Sequence, residues 1–305
     1  SGFVIAYSIR NGVFTFKYLV LFAFRRFIRL DPAYWVIIGI EIALLYISLY
    51  FFPELDSKLP SKEQVISHLV YMQELFGLGH LLPIFWTLCY EVQFYLILVL
   101  SLVFYENLKR YFSRMNINVF VICLVLSFMV YMYSAGIYLN VFTATPKGVF
   151  IDRWYQFFLG VLAFWCWYGK APKWFYLMTW LSTVFLLVVF DPPTYRILST
   201  LVVLSISLLI FVAANTNNLG SWLNSPKLLF LGAISYGLYL VHLPIGSRFI
   251  SLVKEIVGDD MSTSIAVVTM FGGLIVSVIA AWLLYIFIER PSLNLARSIV
   301  LPKSK

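Results

Sequence analysis

Charge is what this chain has least of. Only 12% of its 305 residues are Asp, Glu, Lys or Arg, while 62% are hydrophobic. Soluble domains carry about a quarter charged residues, so a water-soluble globule is excluded. Cysteine is scarce as well: Cys89, Cys123 and Cys166 each sit inside an apolar run and read as buried free thiols. Three histidines and no grouping of His, Cys and carboxylate at ligand spacing leave no metal site to expect. The net charge of +8 does not point to nucleic acid. That partner needs a continuous basic face in water, and here the basic residues fall in short segments between apolar runs.

What the chain has in abundance is apolar length. Runs of about 17–25 residues are long enough to span a bilayer. They occur at 33–52, 83–104, 117–139, 149–168, 174–190, 196–214, 228–250 and 264–288. The expected fold is therefore all-α, a polytopic transmembrane helical bundle of eight full spans, treated as one domain over 1–305. Residues 1–9 read as the second half of another apolar helix, so the polypeptide is expected to be a fragment. The segment Asp191-Pro192-Pro193-Thr194-Tyr195 marks a turn through which no helix continues. No repeat of fixed period stands out.

Lys and Arg fall unevenly on alternate sides of these spans. One side collects Arg10, Lys17, Arg25, Arg26, Arg29, Lys109, Arg110, Arg114, Lys170, Lys173, Lys227, Arg290, Arg297, Lys303 and Lys305. The other holds Lys58, Lys62, Lys147, Arg196, Arg248 and Lys254. The bias of fifteen to six places the arginine cluster and the C-terminus in the cytoplasm. Trp35, Tyr50, Phe51, Phe52, Trp154, Trp174 and Tyr176 fall near span ends, where an interfacial aromatic belt is expected. The longest outside loop, 53–82, carries Glu54, Asp56, Lys58, Lys62, Glu63, His68, Glu74 and His80. It reads either as a solvated loop or as a lid over an acceptor, with a short interfacial helix over Ser67–Phe76.

Charges inside spans cost about 2.5–3.5 kcal/mol each on insertion scales, so each needs a partner or a task. Thr87, Glu91 and Tyr95 share one helical face at i, i+4, i+8. Ser235, Tyr239 and His242 share another at i, i+4, i+7. Counting 1.5 Å per residue puts Glu91 and His242 each roughly 12 Å below the outer surface. His242 reads either as a hydrogen-bonded structural residue or as one that acts in chemistry. Arg153, with Asp152 beside it, reads as an interfacial ion pair or as a partner for Glu91. Glu41 and Glu289 both suit neutralisation of the arginine cluster. Arg26 and Arg29, at i, i+3, project from one face and make a two-pronged clamp for phosphate. The same residues also serve as an orientation signal or a site for lipid headgroups.

Taken together, these stretches resemble the acyltransferase 3 family of integral membrane acyltransferases. Arg26-Phe27-Ile28-Arg29, followed by Leu30, Pro32 and Tyr34-Trp35, is similar to its R-x-x-R motif. Trp86-Thr87-Leu88-Cys89-Tyr90-Glu91 with Phe94-Tyr95 is similar to W-[ST]-L-x-x-E-x-x-F-Y. Arg153 with Phe157-Phe158-Leu159-Gly160 is similar to R-x-x-x-F-x-L-G, and Ser235-Tyr236 through Tyr239-Leu240 to His242 is similar to S-Y-x-x-Y-L-x-H. Glu289-Arg290-Pro291 follows the closing E-x-P.

The resemblance implies about ten spans in a full-length parent. It also implies transfer of an acyl group, acetyl above all, from cytoplasmic acyl-CoA to a hydroxyl of a surface polysaccharide, lipopolysaccharide or glycolipid at a bacterial inner membrane. Arg26 and Arg29 would hold the acyl-CoA phosphates. Glu91, Arg153 and His242 would form the polar site, with Trp86, Tyr95, Ser235 and Tyr239 lining the path. The family's first span carries an Arg and, eleven positions on, a His expected as general base. No histidine of this chain matches it, so the 305 residues alone are expected to be inactive. A transporter or flippase for a glycan or lipid-linked sugar is the rival reading, and a non-catalytic membrane scaffold or sensor that retains the fold is the second.

Overall fold

The computed structural model describes residues 1–51, 58–112, 118–142, 148–222, 224–258 and 261–303. Phe52, Glu54, Asp56, Arg114, Lys147 and Lys305, named above, lie outside the described residues. Among the described residues the regular elements are helical throughout. In chain order they are α1 (Gly2–Ser8), α2 (Phe16–Phe51), α3 (Lys62–Leu69), α4 (Trp86–Phe112), α5 (Val119–Tyr138) and α6 (Trp154–Trp167). There follow α7 (Lys173–Phe190), α8 (Thr194–Asn215), α9 (Pro226–Val241), α10 (Arg248–Val257), α11 (Thr263–Leu284) and α12 (Arg290–Ser298). Short 3-10 turns, Pro83–Phe85 and Phe150–Arg153, lead into α4 and α6. Wider π turns, His242–Ser247 and Tyr285–Glu289, join α9 to α10 and α11 to α12.

Among the described residues seven helical stretches are long and apolar enough to cross a membrane: Phe16–Phe51, Pro83–Phe112, Val119–Tyr138, Lys173–Phe190, Thr194–Asn215, Pro226–Val257 and Thr263–Ser298. The chain is an all-α integral membrane protein. The expected span at 149–168 is the exception. Its helix, α6, has 14 residues, and the 3-10 turn that leads into it carries Asp152 and Arg153.

The chain groups into two compact units, one of Ser1–Val20, Thr87–Trp222 and Leu301–Lys305, the other of Leu21–Trp86 and Leu223–Val300. In the first, α6 is the core, with α1, α5, α7 and α8 packed on it. Apart from Gln156 it is apolar around its circumference, and such a helix is buried rather than amphipathic; Leu159, Val161, Leu162 and Ala163 are all 0% exposed. Gly160 lets α1 approach, since a Cβ there would stand 2.7 Å from the Phe3 backbone nitrogen. Tyrosine hydroxyls lace the surrounding helices together. Tyr155 meets Thr200 at 2.9 Å and Tyr176 meets Ser207 at 3.1 Å, while Tyr131 meets Thr183 and Tyr138 meets Ser199. With no water at hand, such pairs satisfy buried hydroxyls inside the bundle. Trp154 and Tyr176, expected in the aromatic belt, are core residues, whereas Tyr50, Phe51 and Trp174 are exposed as the belt requires.

In the second unit, α2 is one 36-residue helix that runs through Pro32. The arginines therefore lie within the helix that carries the expected span at 33–52. α9 packs chiefly on α11, and Gly237 makes that approach possible: a Cβ there would meet Glu289 Oε1 at 2.5 Å and the Ala281 carbonyl at 3.1 Å. The expected helix over Ser67–Phe76 is displaced. Ser61 caps the N-terminus of α3 by accepting from the Gln64 amide at 3.2 Å, and the helix ends before Tyr71, whose φ is +58°. The 58–82 segment packs against α2. Trp35 Nε1 donates to the Leu69 carbonyl at 3.3 Å and Tyr71 donates to Asp31 at 2.8 Å. Residues 69–71 thus meet α2 some twenty residues, roughly 30 Å, before its C-terminal end. What read as an outside loop reaches the turn that follows the arginine cluster.

Candidate functional site

Three motifs that stand far apart in the sequence meet in the second unit. Arg29, Leu30, Ser235, Tyr236, Tyr285 and Glu289 line one cleft of about 100 Å³. Tyr236 Oη donates to the Leu30 carbonyl at 3.0 Å, which fixes α9 against the turn after Arg29. The exposed Arg29 feels the Glu289 carboxylate electrostatically, yet the two form no ion pair. Glu289 is 8% exposed, sits in the notch left by Gly237, and its Oε1 accepts no side-chain hydrogen bond. The cleft is open on one side and has room for a small polar group beside the Arg29 guanidinium. Arg26, one helical turn earlier, lies over the Phe22 ring at 5.6 Å.

The remaining α9 residues are distributed differently from the expected single face. Ser235 lines the cleft, with its hydroxyl turned to the Gly232 carbonyl at 2.9 Å. Tyr239 Oη donates to the Ile84 carbonyl at 2.5 Å, tying α9 to the chain just ahead of Trp86. His242 opens the π turn, and its Nδ1 lies 2.7 Å from the Tyr239 carbonyl. A carbonyl partner requires N–H on Nδ1, so Nε2 of the neutral ring is left as an acceptor. Tyr236 lines the cleft although its place on the helix put it outside the expected face.

In the first unit, Glu91 accepts from Tyr95, as the i, i+4 spacing predicts, and from Ser1 Oγ at 2.6 Å. It forms no ion pair with Arg153. Arg153 Nε instead lies 3.3 Å from Asp152, and its guanidinium covers the Tyr138 ring at 4.5 Å. Arg196 covers the same ring at 5.6 Å and donates to the Tyr138 carbonyl and, at 2.5 Å, to Asn140. Gln93, unread in the sequence, donates to the Gly148 carbonyl at 2.8 Å and accepts from the Phe150 amide at 3.2 Å, pinning the turn that presents Arg153.

Glu41 does not neutralise the arginine cluster. It forms a two-pronged pair with Arg248, Nη1 to Oε2 at 2.6 Å and Nη2 to Oε1 at 2.7 Å. Arg248 also donates to the Pro244 carbonyl at 3.0 Å, inside the π turn. Among the described residues no group of His, Cys and carboxylates is placed to hold a metal.

The 58–82 segment holds a second polar group. His68, 0% exposed, has Nδ1 2.7 Å from the Gln64 carbonyl and accepts from the Leu81 amide on Nε2 at 3.1 Å. A carbonyl on one nitrogen and an amide N–H on the other admit only the neutral ring. Burial pushes its pKa below the ordinary 6.5, and the ring of His80 acts in the same direction. Tyr71 is pushed upward, by burial first, with Asp31 among the lesser causes.

Comparison with known proteins adds nothing to the motifs: no family model, no curated protein and no solved structure matches the chain.

Proposed function

We propose that this protein transfers an acyl group, acetyl above all, from cytoplasmic acyl-CoA to a hydroxyl of an extracytoplasmic glycan or glycolipid. The observation that carries the reading is the convergence on one cleft of Arg29, Ser235, Tyr236 and Glu289, residues drawn from three separate motifs of the resemblance. An exposed guanidinium that forms no ion pair among the described residues, at the edge of a cleft shared by three motifs, suits a donor recognised by its phosphates. Arg26 is the second prong of that clamp. The carbonyl chemistry comes from the thioester of the bound donor. This chain's residues bind and orient it.

On this reading Ser235 and Tyr236 shape the cleft, and Tyr239 holds α9 to Ile84 beside Trp86 at the entrance of α4. His242 presents Nε2 as an acceptor to a passing substrate. In the first unit, Glu91 with Tyr95, and Arg153 with Asp152, order the polar groups among apolar helices. The arginine cluster faces the cytoplasm of a bacterial inner membrane.

A transport reading draws support from the π turns His242–Ser247 and Tyr285–Glu289 that interrupt two spans. Transporters place their sites at broken helices, but these turns stay helical rather than unwinding. Equilibrium binding of labelled acetyl-CoA to the purified protein separates the two. Binding that weakens at least ~10-fold in Arg29→Ala supports the donor site, and wild-type protein that binds no acyl-CoA contradicts it.

A further inference from the structure

One end of the first unit gathers cations that no carboxylate neutralises. Three stretches of chain meet there: the loop after α1, the turn after α6 and residues 301–303. Tyr168 Oη donates to Asn11 Oδ1 at 2.9 Å, and Lys170 Nζ donates to the Arg10 carbonyl at 3.4 Å. Gly12 pairs with Lys303 in an isolated antiparallel bridge, and the Val13 amide donates to the Pro302 carbonyl at 3.1 Å. Glycine is required at 12, because a Cβ there would stand 2.7 Å from the ring of the buried Tyr18. The fold thereby sets Arg10, Lys170 and Lys303 around one loop, with Lys173 at the start of α7 three residues further on. Arg10 is half-buried and the three lysines are exposed. None of the four forms an ion pair among the described residues. Like charges drawn together without a counter-charge repel one another and favour an anion brought from outside.

Aromatic rings flank these cations. The Arg10 guanidinium lies over the Tyr7 ring at 4.0 Å and donates to the Tyr7 carbonyl at 2.9 Å, so it is held in place. Lys170 lies over the Tyr168 ring at 5.5 Å. Tyr7 stacks with Trp167 at 6.4 Å, between α1 and α6, and keeps 43% of its surface exposed. Fixed cations above exposed rings on apolar helices match a molecule with an anionic head and an apolar tail. A free phosphate would use the cations alone and leave the rings uncovered. All four cations also belong to the side of the spans that carries the excess of Lys and Arg, where anionic lipid is expected.

We propose that this end of the first unit binds an anionic phospholipid, with the headgroup phosphate held by Arg10 and Lys170 and the acyl chains lying along Tyr7 and Trp167. The site uses none of the residues of the Arg29 cleft and does not depend on the acyl-transfer reading. Arg10 and Lys170 follow the C-termini of α1 and α6, where a cation also answers the helix dipole. Binding and stability must therefore be read separately.

Phosphatidylglycerol and phosphatidylcholine with the same acyl chains are titrated onto the purified full chain, and bound lipid is counted by native mass spectrometry. Wild type should retain phosphatidylglycerol with at least ~10-fold preference, and Arg10→Gln/Lys170→Gln should lose that preference. Lys170→Gln alone, at an exposed position, should weaken it severalfold. Arg10→Lys/Lys170→Arg should keep it, as should Lys227→Gln/Arg297→Gln, which removes the same charge from the second unit. In phosphatidylcholine alone the Gln pair should unfold near the wild-type temperature, and it should lack the rise that phosphatidylglycerol gives wild type. Equal retention of the two lipids by wild type overturns the proposal, and so does an unchanged preference in the Gln pair. Displacement of the lipid by an equal concentration of soluble glycerol phosphate also overturns it, by making the site one for free phosphate. Lower stability of the Gln pair in phosphatidylcholine with its lipid preference intact would reduce both cations to helix caps.

Discussion

Arg248 grips Glu41 with both prongs of its guanidinium, at 2.6 and 2.7 Å, across 207 residues of sequence. Glu41 is 6% exposed, while a third of the Arg248 side chain reaches the surface. Removing one partner strands a buried carboxylate. Arg248→Ala should therefore lower stability by about 2–3 kcal/mol, less than for a fully buried pair because Arg248 is partly open. Thermal unfolding in detergent checks this, and the double variant Glu41→Leu/Arg248→Leu should recover much of the loss.

Gly237 and Glu289 make a second test. A methyl at 237 would stand 2.5 Å from Glu289 Oε1 and 3.1 Å from the Ala281 carbonyl. Gly237→Ala should cost about 1–3 kcal/mol and push Glu289 toward Arg29, closing the cleft. Reduced stability together with weaker acetyl-CoA binding is the expected pair of results. Gly232→Ala, inside the same helix at a position with nothing within 4 Å of a Cβ, should instead raise stability by about 0.5–1 kcal/mol.

Stability should fall with acid through His68. Burial holds its folded-state pKa below 6.5, so the unfolded chain binds a proton more readily than the native one. Above 6.5 both states are neutral and nothing is lost. As pH falls below 6.5 toward the lowered native value, the unfolded state gains protons and stability drops. His68→Gln should lose less between pH 7.5 and 5.5 than wild type does, as read by thermal unfolding at the two values.

Most of the helices were legible because apolar runs of spanning length leave few alternatives. What misled was local chemistry with more than one reading. The apolar run begins at 33, yet α2 starts at Phe16, runs straight through Pro32, and Tyr71 takes up the Asp31 carboxylate. The run at 149–168 has a span's composition but forms the buried core helix of its unit, a distinction that hydropathy does not carry. Ser61-Lys62-Glu63-Gln64 carries a capping-box signal that places α3 where it is found, and this was readable. The partner of Glu41 was not, since nothing local marks a residue 207 positions away. Of the site, Arg29, Ser235 and Glu289 were legible as motif residues. Their convergence, and the meeting of Arg10, Lys170 and Lys303, belong to tertiary structure alone.

Tyr239→Phe tests a smaller contact. It removes the hydrogen bond to the Ile84 carbonyl and should cost about 1 kcal/mol, while leaving acetyl-CoA affinity near that of wild type. A loss of affinity as large as that of Arg29→Ala would instead place Tyr239 in contact with the donor.

The most direct test of the account is transfer of radiolabel from acetyl-CoA into envelope glycans by membranes carrying the full-length protein, beside matched membranes carrying Arg29→Ala. The account predicts label in the glycans with wild type and at least ~10-fold less with the variant. Wild-type membranes that transfer no more label than empty ones, or an Arg29→Ala variant that transfers as much as wild type, would contradict it.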